Sequence, residues 1–358
     1  MSLDWYGNPA AGKWTCPPAP ADGIAFHRRL PGYAETPLVE LPSLARELGV
    51  ARVLVKDESS RLGLPAFKVL GASWAVARLV AERAGLGRRP TLERLRAAVA
   101  LRALTLVTAT DGNHGRAVAR MARLVGAESH VLVPEAVPAR AAQLIAAEGG
   151  TVTTVAGSYE GAVAEAARVA ALDPDAELVQ DTAWPGYEEV PARIVEGYAT
   201  LTAEVDAQLG QPPDLVVVPV GVGSLAQAVV THYRSGGRAA AVLAVEPDRA
   251  ACLLASLRAG EPRSIRTGAT IMAGLNCGTP SSLAWPVLHE GLDAAIAVSD
   301  ADAVRAVADL GAAGVSAGPS GAATLAAARA ALGSGNRRAD LGVGPGSTVV
   351  LLSTEGRT

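Results

Sequence analysis

Lysine is nearly missing from this chain. Its 358 residues include three, Lys13, Lys56 and Lys68, against twenty-nine arginines. Cysteine is as scarce: Cys16, Cys252 and Cys277 form no Cys-x-x-Cys pair, which excludes a disulfide scaffold. The five histidines, His27, His114, His130, His232 and His289, have no zinc-binding spacing, so no metal site is expected. No apolar run approaches the about 18 residues of a membrane span. Met1–Pro20 also lacks a basic region leading into an apolar one, so no membrane association and a cytoplasmic location are expected. A net charge of −3 and a pI near 6.0 supply no clustered positive charge for nucleic acid or an anionic membrane surface. Small-molecule chemistry remains.

Aromatics make up only 4% of the chain, yet 49% of it is hydrophobic, enough for a core built from Ala, Val and Leu. Short β-branched runs alternate with Ala-rich helical stretches at 52–56, 104–108, 130–133, 152–155, 178–180, 215–220, 242–245 and 348–352. Runs such as Leu215-Val-Val-Val-Pro-Val220 are apolar on both faces, as parallel strands covered by helices require. An α/β fold with doubly wound parallel sheets follows. The punctuation at Gly85–Pro90 and Trp184–Gly186 brackets a smaller inserted α/β domain, 78–186, within a large domain formed by 1–77 and 187–358. Another helix is expected behind Gly318-Pro-Ser-Gly321. Ligands of such sheets bind at the carboxyl ends of strands, so the residues just after each run carry the chemistry.

Lys68 lies in the uncharged stretch Gly63-Leu-Pro-Ala-Phe-Lys-Val-Leu-Gly71. A desolvated amine there can form a Schiff base with a carbonyl, which arginine cannot; the plainer alternative is a lysine snorkelling from a helix start. After the 104–108 run comes Thr110-Asp-Gly-Asn-His-Gly115 and a helix from about Arg116 to Val125. Exposed amides at a helix start suit a carboxylate or phosphate, and Asn113 could hydrogen-bond a ligand oxygen; otherwise the segment is a capping turn. Gly221-Val-Gly-Ser-Leu-Ala226 follows the 215–220 run and suits a phosphate. Those residues, with Glu246 about twenty residues on, also satisfy a dinucleotide fingerprint. Asp181, after 178–180 and near Trp184 and Tyr187, is a candidate general base, Asp111 a second; both could instead be helix caps. Ser353-Thr-Glu-Gly356 brings hydroxyls to the edge of the last run, where they would pair with an unprotonated heterocycle nitrogen.

Together these segments resemble the fold-type II pyridoxal phosphate enzymes. The runs Gln180-Asp-Thr-Ala-Trp-Pro-Gly-Tyr187 and Thr270-Ile-Met-Ala-Gly-Leu-Asn-Cys-Gly278 narrow the resemblance to the diaminopropionate ammonia-lyases. It implies that Lys68 carries pyridoxal 5'-phosphate as an imine and that Gly221, Val222, Gly223 and Ser224 cradle its phosphate. Asn113 would contact the ring's phenolic oxygen, and Ser353 or Thr354 would face the pyridine nitrogen. The amides of Thr110, Asp111, Gly112, Asn113 and His114 would hold the carboxylate of an amino-acid substrate. Asp181 would be the base for the L-isomer and Asp111 the base for the D-isomer. The expected reaction is α,β-elimination of 2,3-diaminopropionate to pyruvate and two ammonia, in a homodimer.

Two positions depart from that family's pattern. Pro319 stands where glutamate is expected and Arg357 where aspartate is expected, both near the cofactor end. The family's counterparts of Cys252 and Cys277 can lie close together, so a bond and free thiols both stay open, with free thiols expected in a reducing cytoplasm. No C-terminal regulatory module is expected. The competing readings are a serine or threonine dehydratase of the same cofactor class and a nicotinamide-dependent oxidoreductase using Gly221–Ala226.

Overall fold

A computed structural model describes residues 5–110, 112–237 and 239–357. Asp111 therefore lies outside the described residues. The strands are β1 (Trp5–Gly7), β2 (Leu38–Glu40), β3 (Arg52–Asp57), β4 (Thr105–Ala109), β5 (Glu128–Pro134), β6 (Thr151–Val155), β7 (Ala176–Leu178), β8 (Leu215–Pro219), β9 (Ala241–Pro247), β10 (Ala294–Val298) and β11 (Thr348–Ser353). Seven form one sheet in the order β1-β10-β9-β8-β11-β3-β2, and four form a second in the order β6-β5-β4-β7. The second sheet is parallel throughout. The first is parallel from β10 to β3 and closes at each edge with a short antiparallel strand, β1 on β10 and β2 on β3.

Every residue of β8 and β11 is buried, the outcome of runs apolar on both faces. Where the sequence suggests a strand at 178–180, the ladder stops at Leu178. Beyond it the Gln180 side-chain oxygen accepts from the Ala109 amide at 3.0 Å and the Thr108 hydroxyl at 3.1 Å, standing in for backbone pairing. The chain is thereby freed to turn toward the large sheet before Asp181.

One helix, Lys68–Arg83, joins the two halves. It is buried almost all round, placing Leu70 and Ala75 in the core beneath the large sheet and Val69, Trp74 and Val76 in the core of the smaller unit. It crosses the helix Glu189–Leu209 so closely that a Cβ on Gly197 would come within 2.5 Å of the Leu70 carbonyl oxygen, so only glycine permits the crossing. That packing fixes the first residue of the helix, Lys68, between the carboxyl ends of the sheets. No helix among the described residues is long and apolar enough to cross a membrane.

Candidate active site

Lys68 meets Asp181 in an ion pair between Nζ and Oδ2, with the Phe67 ring 5.7 Å away on the same side. The Lys68 side chain keeps 23% of its surface and Asp181 only 6%, so the amine faces a cleft while its partner is inside. The amine is thus a paired cation rather than the bare, desolvated amine that the uncharged flanks suggest. Burial alone would raise the Asp181 carboxyl, but the Lys68 charge, His114 and the hydrogen bond from Lys68 outweigh it and hold the group well below the usual carboxylate range.

His114, in the first turn of the helix Asn113–Val125, joins this pair. Its Nε2 lies 2.8 Å from the Val179 carbonyl, which only accepts, so Nε2 carries the proton. Nδ1 is 3.8 Å from Asp181 Oδ2 and has no hydrogen-bond partner. Burial lowers the imidazole pKa, with Asp181 opposing and Lys68 assisting. The sequence points only to the His114 backbone amide; the structure places its side chain beside the Lys68–Asp181 pair.

Of the amides expected to hold a substrate carboxylate, two are used internally. Thr110 N donates to Leu132 O at 3.0 Å, and Gly112 N donates to Thr110 Oγ1 at 2.9 Å. The first-turn amides of Asn113 and His114 have no partner within their helix and remain the donors. Asn113 Nδ2 donates to Glu355 Oε2 at 2.9 Å, a partner not anticipated from the sequence.

The glycine turn follows β8 as expected. Gly223 adopts φ +101, and a Cβ there would also fall 2.9 Å from Leu288 Cδ1, so the bend is reserved for glycine. The helix Ser224–Arg234 starts at this turn with its first amides facing out of the bend. Ser224 Oγ donates to the Asp181 carbonyl at 2.7 Å, fastening Asp181 to the turn. Ser281 strengthens that join: its hydroxyl accepts from Ala183 N at 3.1 Å and its own amide donates to Val222 O at 2.8 Å.

At the end of β11, Ser353 is fully buried and its Oγ has no hydrogen-bond partner; Ser320 Oγ nearby has none either. A buried hydroxyl without a partner is costly, and it fits a ligand atom that accepts from it. Thr354 differs: it is buried and its carbonyl accepts from Phe67 N at 3.1 Å, tying β11 to the start of the Lys68 helix. Arg357 donates to Val307 O at 2.6 Å. Pro319 is the first residue of the helix Pro319–Leu332, where its fixed φ and missing N–H cost nothing.

Two further expectations resolve here. Glu246 is fully buried and accepts from the amides of Leu253 at 2.8 Å and Leu254 at 2.7 Å; desolvation pushes its carboxyl up to about 8. It caps the helix Cys252–Ala259 from the inside and is unavailable to a ribose, which removes the nicotinamide reading. Cys252 and Cys277 are free thiols on either side of Gly221: Cys252 Sγ donates to its carbonyl at 3.8 Å, and Cys277 Sγ lies 3.1 Å from where a Cβ on Gly221 would be. Among the described residues no cluster of ligands could hold a metal ion.

Asp181 thus joins Lys68 to the glycine turn, and the strand end that carries the partnerless Ser353 is tied to the start of the Lys68 helix. Residues 29–355 match the family of pyridoxal-phosphate dependent enzymes. The chain belongs to that family. It is 37% identical to the diaminopropionate ammonia-lyase of Salmonella typhimurium over 302 residues, 79% of this chain and 73% of that protein. The Escherichia coli diaminopropionate ammonia-lyase, solved in complex with D-serine, superposes with a TM-score of 0.89 at 31% identity, covering 99% of this chain and 94% of that one. The L-threonine dehydratase of Mycobacterium leprae is 30% identical over 346 residues, 95% of this chain and 73% of that protein. The chain is thus a fold-type II pyridoxal phosphate enzyme of the diaminopropionate ammonia-lyase family, and pyridoxal 5'-phosphate is its cofactor.

Proposed function

We propose that this enzyme eliminates ammonia from 2,3-diaminopropionate, the L-isomer and through a second base the D-isomer, releasing pyruvate and two ammonia. The observation that carries this reading is the Asp181 carboxylate paired with Lys68 at the mouth of the cleft. Pyridoxal phosphate, held by Lys68, supplies an electron sink that acidifies the substrate Cα–H. The turn at Gly221, Val222, Gly223 and Ser224 would hold its phosphate through backbone amides, Ser353 or Thr354 would serve the ring nitrogen, and Asn113 would donate to the phenolic oxygen. The Asn113 and His114 amides would hold the substrate carboxylate, with the Thr110 and Gly112 amides tied up inside the protein, orienting the Cα–H toward one face.

Asp181 is ionised but, while paired with the Lys68 ammonium, too weakly basic to take a carbon-bound proton. Substrate binding that removes the Lys68 charge strengthens Asp181 as a base at the moment it is needed. The proton that Asp181 takes from Cα can be shared with His114 Nδ1, 3.8 Å away, or passed to the freed Lys68 amine, which as an ammonium would return it to the departing β-amine. Asp111 is the base for the D-isomer in this reading. Residues 78–186 form the smaller domain, and the enzyme works as a cytoplasmic homodimer with no nucleic-acid partner.

The purified enzyme should be yellow, and borohydride should bleach it and add mass to one peptide, that of Lys68. Pyruvate release is then compared for D- and L-diaminopropionate, D- and L-serine and threonine. A higher kcat/KM on diaminopropionate than on every hydroxy-amino acid supports the assignment; a preference for serine or threonine would replace it with a dehydratase.

A further inference from the structure

Glu355 has no part in the proton transfers just described, yet its carboxylate meets Asn113, the neighbour of His114. Its backbone is secured without it: Glu355 bridges Ala66, its carbonyl accepts from Gly318 N at 2.8 Å, and Gly356 N donates to Pro65 O at 2.9 Å. The carboxylate is therefore free for another task. Oε1 accepts from the amide of Ser320 at 3.2 Å, at the start of the helix Pro319–Leu332, whose positive end favours an anion there. Oε2 accepts from Asn113 Nδ2 at 2.9 Å.

A primary amide has a donating end and an accepting end, and an ionised carboxylate only accepts. With Glu355 beside it, Asn113 can face the carboxylate only through its NH2. One of the two N–H bonds is spent on Glu355, and the other is left to donate. We infer that Glu355 is a positioning residue: it sets the orientation in which Asn113 presents an N–H to the phenolic oxygen of the cofactor. This rests on the reading of Asn113 given above. The inference assigns a specific job to the acidic residue of the Ser353-Thr-Glu-Gly356 run, which the elimination chemistry leaves unused.

A donor on the phenolic oxygen stabilises the bare phenolate more than a phenolate already paired with a protonated imine. Losing that donor moves the pH midpoint of the lysine-bound chromophore upward. The holoenzyme is titrated by its visible absorption beside Glu355→Gln, Asn113→Ala and the double variant. Glu355→Gln is nearly isosteric but offers an NH2 to Asn113, so the amide can turn its oxygen outward or inward. The expected result is a midpoint about one pH unit higher in each single variant, the equivalent of one ordinary hydrogen bond. The double variant should shift no further, and kcat on L-diaminopropionate should follow the same pattern, about tenfold down in each variant with KM little changed. Glu355→Ala repeats the measurement should the glutamine variant fold poorly. A wild-type midpoint and kcat in both Glu355 variants, or losses that add to those of Asn113→Ala, overturn the proposal. If Asn113→Ala itself leaves the midpoint and kcat unchanged, the assignment of Asn113 falls first, and the role of Glu355 with it.

Discussion

Two lysines, the buried Lys56 and the partly exposed Lys68, each sit against a carboxylate, and their surroundings differ. Lys56 is wholly buried on β3 and has an acceptor for each of its three donors: Thr36 O at 2.8 Å, Glu204 Oε2 at 2.7 Å and Gln208 Oε1 at 2.9 Å. Glu204 and Glu58 in turn grip Arg61, with contacts of 2.7 Å and 2.6 Å, and Thr36 and Tyr33 hydroxyls complete the set. None of these side chains has a buried polar atom without a partner. Around Lys68, by contrast, His114 Nδ1, Ser320 Oγ and Ser353 Oγ have none, and neither has Tyr198 Oη, close enough to feel the Lys68 and Asp181 charges. A closed polar network rigidifies; an unfinished one is completed by a ligand. The closed network also serves the unfinished one, because Glu58 and Arg61 anchor the loop that leads from β3 to Lys68.

The largest effects should separate the two lysines. Lys68→Ala is expected to lower turnover by roughly 10⁴-fold or more, since it removes the residue that forms the covalent bond, while leaving the urea midpoint close to wild type. Lys56→Met should do the reverse, costing about 3–5 kcal/mol because it leaves Glu204 buried with a partner missing, with kcat on the folded fraction nearly intact. Equal losses of stability in the two variants would break the distinction. Asp181→Asn comes next, with a loss of roughly 10²–10⁴-fold on L-diaminopropionate, the usual contribution of a general base, and a smaller loss on the D-isomer. Wild-type rates on the L-isomer would remove Asp181 as the base.

The closed network should also fix the acid limit. Burial raises the Glu204 carboxyl, but Arg61 and Lys56 prevail and bring it down to about 2. The folded value lies below the unfolded value of about 4.5, so its contribution is present above that pH and is lost as pH falls toward 2, up to about 3 kcal/mol in all. Urea midpoints measured from pH 6 to pH 3 should fall for the wild type and fall less for Glu204→Gln, which begins lower. Parallel curves would show that Glu204 is not the group responsible.

What was legible in the sequence follows the same divide. Lys68, the glycine turn and Ser353 stand out in the sequence because a lone lysine among apolar residues, a close backbone bend and a hydroxyl at a strand end are each features of a local position. The central strands β8 and β11 are legible because burial on both faces leaves only apolar residues. The edge strands β1 and β2 are three residues each and owe their existence to partners far along the chain, and the Ala-rich β10 has no β-branched run to mark it. Spacing placed Glu246 in a dinucleotide fingerprint because it records distance along the chain and not direction: the carboxylate turns inward to a helix start. The links from Asn113 to Glu355 and from Lys68 to Asp181 join residues 242 and 113 positions apart, so no local pattern carries them.

The smallest predicted effect is the most discriminating. Ser353→Ala deletes a buried hydroxyl that bonds to nothing in the protein, so folding should lose nothing by it, and stability should stay within about 0.5 kcal/mol of wild type or rise slightly. In the closed network the same kind of deletion, Thr36→Ala, removes a hydroxyl that both donates to Glu58 and accepts from Arg61, and should cost about 1–3 kcal/mol. Catalysis should respond in the opposite order: kcat falls about tenfold in Ser353→Ala, the value of one hydrogen bond to the ring nitrogen, and hardly at all in Thr36→Ala. Denaturant midpoints and kcat for the two variants decide the matter. Should Ser353→Ala lose more than about 1 kcal/mol while keeping its kcat, the hydroxyl is part of the scaffold and the unfinished network is not a binding site.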